Sequence, residues 1–326
     1  MTLLEVEHVA KAFGDKAAVR DVSFQVGPGE LFGLLGPNGA GKTTTIRMIL
    51  DILKPDRGRI AVLGGPLTED KKNRIGYLPE ERGLYRDLKV LDCMVYLAEL
   101  KGVERREARR RALAYLEQVD LGREAGKKVS ELSKGMQQKV QFGSMILHEP
   151  EVMIIDEPFS GLDPVNTQLI KEQIFAFRQA GRAILMSTHQ MHLVEEMCDQ
   201  LVMFNQGQIV LSGTPDAVKQ RFAPNAVRVE GSGDLAAVPG VREARSAQAG
   251  GGTDLLLEPG VDPSAVLRAL VVRPGTAITR FEVIMPSLDE IFIRVAGGED
   301  GAGPPVPAAG HEEDAGNKVP VAGGVA

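Results

Sequence analysis

The sequence predicts an α/β fold built on a buried, largely parallel sheet, followed by a smaller α+β unit. Three observations carry this expectation. Short apolar runs at Leu31–Leu35, Val152–Ile155 and Ala183–Met186 are bounded by Gly, Pro or charge, as strands covered on both faces should be. Longer segments with helical patterning lie between those runs. Directly after the first run comes Gly36-Pro37-Asn38-Gly39-Ala40-Gly41-Lys42-Thr43-Thr44, three glycines and a cation placed where an apolar strand ends.

The helical segments follow from their stops. One spans Thr43 to about Leu53 and is closed by Lys54-Pro55, and another spans Leu88 to about Lys101 and is closed by Gly102. A third covers Thr167 to Gln179 and ends near Gly181. The charged run Arg105 to Arg111, continuing into Ala112–Leu116, reads as the solvated face of a helix. From about 226 the character changes: VRVEG, DLLLEPG and ITRFEVI read as strands, DPSAVLRALVV and SLDEIFIRVA as helices. A ferredoxin-like sheet is the expectation there. Residues 297–326 are Gly, Ala, Pro and acidic side chains, too apolar-poor to offset their ordering entropy, and read as a disordered tail.

Bulk properties narrow the function. The 326 residues are 43% hydrophobic and 25% charged with a net charge of −6, so the strongly basic footprint of a nucleic-acid binder is missing. Two cysteines, Cys93 and Cys198, are too few for a disulfide framework and suit a reducing compartment. The N-terminus lacks the layout of a secretion signal, and no apolar run approaches the roughly 20 residues that cross a bilayer. A soluble chain is expected, with any membrane role exerted through a partner.

Gly36-x-x-x-x-Gly41-Lys42-Thr43 matches the P-loop pattern between a strand and a helix. Glycines let successive N–H groups turn inward toward phosphate oxygens, and the helix start adds the positive end of its dipole. Lys42 is the residue to reach the β- and γ-phosphates, and the Thr43 hydroxyl the one to hold Mg²⁺. Val152-Met153-Ile154-Ile155-Asp156-Glu157 places two carboxylates at the C-terminal end of a buried strand, where open α/β sheets keep their ligands. Asp156 is placed for Mg²⁺, and Glu157 is the candidate general base for an attacking water.

Between these pieces lies Leu132-Ser133-Lys134-Gly135-Met136, and beyond them Ser160-Gly161-Leu162-Asp163 and Ser187-Thr188-His189. With these motifs in this order, residues 1 to about 223 resemble the nucleotide-binding subunit of ABC transporters. Residues 226–296, ending PSLDEIFIRVAG, are similar to the C-terminal extension of bacterial sodium-efflux and drug-efflux export ATPases. The resemblance implies a P-loop NTPase fold with an antiparallel β subdomain, a helical subdomain at about 85–150 and a small α+β accessory domain at 224–296. It implies ATP and Mg²⁺ as cofactors, and export through a separate membrane permease. The other partner would be a second copy of the ATPase, as a homodimer, with no nucleic acid and no direct membrane insertion. The place implied is cytoplasmic, peripheral on the inner face of a bacterial cell membrane. A soluble non-transport ABC ATPase and a nucleotide-gated regulatory subunit with weak hydrolysis are the alternative readings.

In that family each ATP is sandwiched between the P-loop of one copy and the signature segment of the other. Leu132 to Met136, with Ser133 and the Gly135 backbone foremost, would therefore meet the γ-phosphate held by the partner. His189 looks like the switch histidine, and Asp163 would communicate across the dimer. Phe13 falls where an aromatic ring stacks on adenine, with ordinary packing as the competing reading. Glu80 stands where the family carries a Gln beside Mg²⁺; it can ligate or accept but cannot donate. Lys134 and Met136 depart from the commonest signature residues. Tyr85, Leu88, Val90 and Tyr96 are candidates for the groove that receives the permease, or for internal packing.

Overall fold

The computed structural model describes residues 2–81, 83–233, 235, 238–247 and 252–297. The expected tail lies, beyond Gly297, outside the described residues.

The chain opens with β1 (Leu4–Phe13), β2 (Lys16–Val26) and β3 (Leu31–Leu35), then α1 (Lys42–Ile49), β4 (Arg57–Val62), the single turn α2 (Glu69–Lys72) and β5 (Ile75–Leu78). Three helices follow: α3 (Val90–Glu99), α4 (Arg105–Gln118) and α5 (Lys134–Ile146). Next come β6 (Val152–Asp156), α6 (Pro164–Gln179), β7 (Ala183–Thr188), α7 (Met191–Met197), β8 (Gln200–Asn205), β9 (Gln208–Gly213) and α8 (Pro215–Phe222). The remainder is β10 (Ala226–Ser232), β11 (Val241–Ser246), β12 (Thr253–Leu257), α9 (Pro263–Val271), β13 (Ala277–Val283) and α10 (Leu288–Gly297).

Six strands form the central sheet in the order β5-β6-β7-β3-β8-β9, all parallel except the edge strand β9. Every residue of β3, β6 and β7 is buried, which explains why these strands read as unbroken apolar runs. Their side chains alternate between two cores. Leu31, Leu35, Met153, Ile155 and Met186 face α5, α6 and α7, whereas Phe32, Leu34, Ile154 and Leu185 face α1 and the β2-β1-β4 antiparallel sheet. Leu35 pairs with Thr188 and Asp156 with Ser187, so three strands end level at one edge. The loops leaving that edge carry Gly36 to Gly41, Glu157 and His189.

α3, α4 and α5 enclose a separate core around Met94, Leu116 and Val140. Val90 is fully buried there, four residues before Met94 on the inward stripe of α3, so it does not line a docking groove. Tyr85, Leu88 and Tyr96 are exposed, and the two tyrosine rings meet edge to face at 5.4 Å. α6 begins at Pro164, earlier than the sequence pattern suggested, because Asp163 caps it: Oδ1 accepts the Asn166 N–H at 3.0 Å with Pro in the first turn.

The C-terminal sheet is antiparallel in the order β11-β12-β10-β13, with Val227, Val229, Leu255 and Leu257 packed beneath Val266 and Leu270 of α9. Its chain order, three strands before the first helix, differs from the ferredoxin-like alternation expected. α10 leaves this sheet and buries Leu288 and Ile291 in the core beside α7 and α8. Glu195 of α7 fixes the contact, accepting from the Leu288 N–H at 2.7 Å and from Lys219 Nζ of α8 at 2.8 Å.

Candidate functional site

The loop after β3 is shaped by its glycines. Gly36, Gly39 and Gly41 have φ of 140°, 78° and 114°. A Cβ on Gly36 would lie 2.4 Å from the Phe204 carbonyl oxygen, and one on Gly41 would lie 2.7 Å from that of Ala18. Backbone from both sheets thus closes on the loop, leaving no space for side chains at these two positions. α1 starts at Lys42 with no side-chain cap, so the first-turn N–H groups of Lys42, Thr43 and Thr44 have no partner within the helix. This is the donor set an anion requires.

Lys42 is buried, and its Nζ donates to the carbonyl oxygens of Gly36 at 2.6 Å and Pro37 at 3.1 Å. Burial pushes its ammonium below the ordinary value, opposed by the negative charges of Glu157, Asp156 and Glu80. Thr43 Oγ1 donates to Asp156 Oδ2 at 3.4 Å. Burial raises the Asp156 carboxyl, and the charges of Glu157 and Glu80 raise it further. One lysine therefore sits among three acidic groups. That donor set of hydroxyl and carboxylate oxygens fits a hard divalent cation such as Mg²⁺. Among the described residues, no three His, Cys, Asp or Glu side chains are arranged to hold a metal alone. Mg²⁺ is usually bound by one or two carboxylates together with substrate phosphates.

Glu157 leaves the end of β6 in the left-handed region, at φ 51°, with its N–H donating to Ser187 O at 2.9 Å. A non-glycine residue held there reflects an enforced geometry. Its buried carboxylate is gripped from β7: Oε1 accepts the His189 N–H at 2.9 Å and lies 2.7 Å from His189 Nδ1, while Oε2 accepts from Thr188 Oγ1 at 3.0 Å. Thr188 was not singled out from the sequence as a site residue. Its position next to His189, at the end of an apolar strand, was the available signal.

Lys42, Thr43, Asp156, Glu157, Glu80 and His189 thus share one locality. Phe13 is exposed at the end of β1, with Lys11 Nζ 5.8 Å from its ring centroid. The adjoining strand β2 carries Ala18 against Gly41, so the hairpin bearing Phe13 flanks the loop.

The chain is 43% identical over 298 residues to the uncharacterized ABC transporter ATP-binding protein YhaQ of Bacillus subtilis, covering 90% of this chain and 99% of that one. The chain belongs to the ATP-binding proteins of ABC transporters.

Residues 19–160 match the family model for ABC transporters, and residues 213–296 match the C-terminal domain of ATP-binding protein DrrA1-3-like. Nod factor export ATP-binding protein I of Burkholderia orbicola is 32% identical over 300 residues, covering 91% of this chain and 97% of that one. A solved ATP-binding subunit of an ABC transporter superposes with a TM-score of 0.64 at 34% identity, covering 68% of this chain and 93% of that one. As an ABC ATPase, the protein is an ATP-hydrolysing transporter subunit, and such subunits work with membrane permeases. Among the described residues no helix is long and apolar enough to cross a membrane.

The segment expected to be the signature opens α5. Leu132 is buried, Ser133 caps the helix by accepting the Met136 N–H at 3.3 Å, and Lys134 is exposed. Met136 packs against the helical core. A Cβ on Gly135 would lie 3.2 Å from Asn166 Nδ2, so this helix start adjoins the one capped by Asp163. A cavity of about 530 Å³ is lined by Glu80, Arg86, Lys134, Gln138, Glu157 and Ser160.

Proposed function

We propose that two copies of this chain close head to tail around two ATP-Mg²⁺ and drive a separate permease, in the direction of export. The observation that carries the reading is the Glu157 carboxylate, strained into place beside Asp156 and held by Thr188 and His189 within the charge field of Lys42. Residues 1–223 would be the ATP-binding unit, with its helical subdomain at about 85–150, and 224–296 an accessory unit. Export is favoured by the relatives, which include the Nod factor export protein and the linearmycin resistance ATP-binding protein LnrL of Bacillus subtilis, 36% identical over 228 residues.

In this mechanism the free amides of Lys42, Thr43 and Thr44 and the Lys42 ammonium bind the phosphates. Thr43 and Asp156 would hold Mg²⁺, with Glu80 nearby, and the ion would supply charge neutralisation to the phosphates. Glu157 takes a proton from the attacking water, which displaces ADP from the γ-phosphorus, and His189 fixes the Glu157 carboxylate. Ser133 of the other copy completes the phosphate shell, which makes closure depend on the γ-phosphate and lets hydrolysis reopen the dimer. Phe13 offers its exposed ring to adenine. Asp163, beside the signature of its own copy, relays closure from one site to the other. The place of action is the inner face of the cell membrane, on the permease.

Ser133→Arg tests the two-copy site, because the exposed residue is remote from its own phosphate loop in this scheme. Turnover should fall by roughly 10²-fold, the scale of losing a transition-state donor, while ATP affinity measured with a fluorescent analogue stays within about twofold. Wild-type turnover would refute the composite site.

A further inference from the structure

Gln141 lies on α5, three residues after Gln138 and on the same helix face. Both are nine-tenths or more buried. The Gln141 Nε2 donates to two carbonyl oxygens, those of Pro79 and Glu81, each at 3.3 Å. Its amide group therefore holds the carbonyls of the two residues that flank Glu80, in the loop that leaves β5. Gln138 does the parallel thing one turn earlier, its Nε2 donating to Pro158 O at 3.2 Å, immediately after Glu157.

Among the described residues the buried Gln141 Oε1 atom has no hydrogen-bond partner. Leaving such an acceptor without a partner is unfavourable, and an apolar side chain of similar volume would avoid it. A buried amide with one unpaired atom and both donated bonds spent on one loop points to a task at that loop. The clamp fixes the loop that carries Glu80, which lines the same cavity as Glu157.

We propose that Gln141 is a positioning residue that arches the Glu80 loop and presents the Glu80 carboxylate to the metal side of the nucleotide site. The inference rests on the reading of Glu80 as a group acting beside Mg²⁺. Because α5 begins at the signature Ser133, engagement of the signature by a second copy is transmitted along one rigid helix to the Glu80 loop of the same chain.

The test compares full-length wild type, Gln141→Met, Glu80→Ala and the double variant. Equilibrium binding of fluorescent ATP is titrated with Mg²⁺ and repeated in chelator, with turnover and Tm recorded alongside. Gln141→Met should raise the Mg²⁺ needed for half-maximal enhancement of binding by roughly tenfold, the range seen when a partner behind a metal ligand is lost. Metal-free ATP affinity should stay within about twofold, Tm should hold or rise, and the double variant should match Glu80→Ala. Gln141→Glu keeps the side-chain length but cannot donate two hydrogen bonds, and it serves if the Met variant does not fold. Multiplicative losses in the double variant, or a fall in Tm with no change in Mg²⁺ dependence, would overturn the role of Gln141 alone. A Glu80→Ala protein that titrates like wild type brings down the reading of Glu80, and this inference with it.

Discussion

Glu157→Gln should lower kcat by about 10²–10⁴-fold, the range for removing a general base, and leave ATP bound. The substitution keeps the shape of the site. An amide oxygen at Oε1 still accepts the His189 N–H, and the left-handed backbone that aims the side chain is unchanged. What disappears is the acceptor for the proton of the attacking water. One negative charge leaves a site where Glu157, Asp156 and Glu80 all act on Lys42, so repulsion of the triphosphate falls. ATP affinity should therefore hold or improve, and a closed, two-copy ATP complex should accumulate and be visible by sedimentation. Turnover above a tenth of the wild-type value would remove Glu157 from its role.

Lys42→Ala should weaken ATP binding by on the order of 10²-fold, since a charge-assisted hydrogen bond to phosphate is worth about 1.5–3 kcal/mol. Two effects act together. The ammonium that meets the β- and γ-phosphates is lost, and the Gly36 and Pro37 carbonyls lose the donor that ties the loop to α1. Loss of the ammonium also leaves three acidic groups without their cation, which opposes an anionic ligand. Thermal unfolding separates the two contributions. A stable variant that has lost nucleotide supports the electrostatic role, and unchanged affinity would refute the phosphate-loop reading.

The catalytic edge was legible because its chemistry is local. Three buried parallel strands write themselves as apolar runs, and the residues at their ends, Gly36 to Thr43, Asp156–Glu157 and His189, follow directly in sequence. The motifs from distant parts of the chain meet only because Leu35, Asp156 and Thr188 end at one level, a register fact that a linear pattern does not contain. Val90 stood open between a docking groove and internal packing, and helix phase places it inward. β11, VREARS, went unread because an edge strand with one half-covered face carries little apolar signal. Gln138 and Gln141 look like any polar helix residues; only burial and the carbonyls they reach give them meaning. The missed start of α6 was readable, since Asp163-Pro164 is a cap followed by Pro at the first helical position.

A covalent trap between copies examines the shared nucleotide most directly. Asn38, at the exposed tip of the phosphate loop, and Ser133 are each changed to Cys in the Glu157→Gln background; the native Cys93 and Cys198 are buried and stay silent. With ATP and Mg²⁺, a disulfide-linked dimer should form under mild oxidation, and with ADP it should not. Absence of the link with ATP, or equal linking without nucleotide, would contradict a phosphate held by the loop of one copy and the signature of the other.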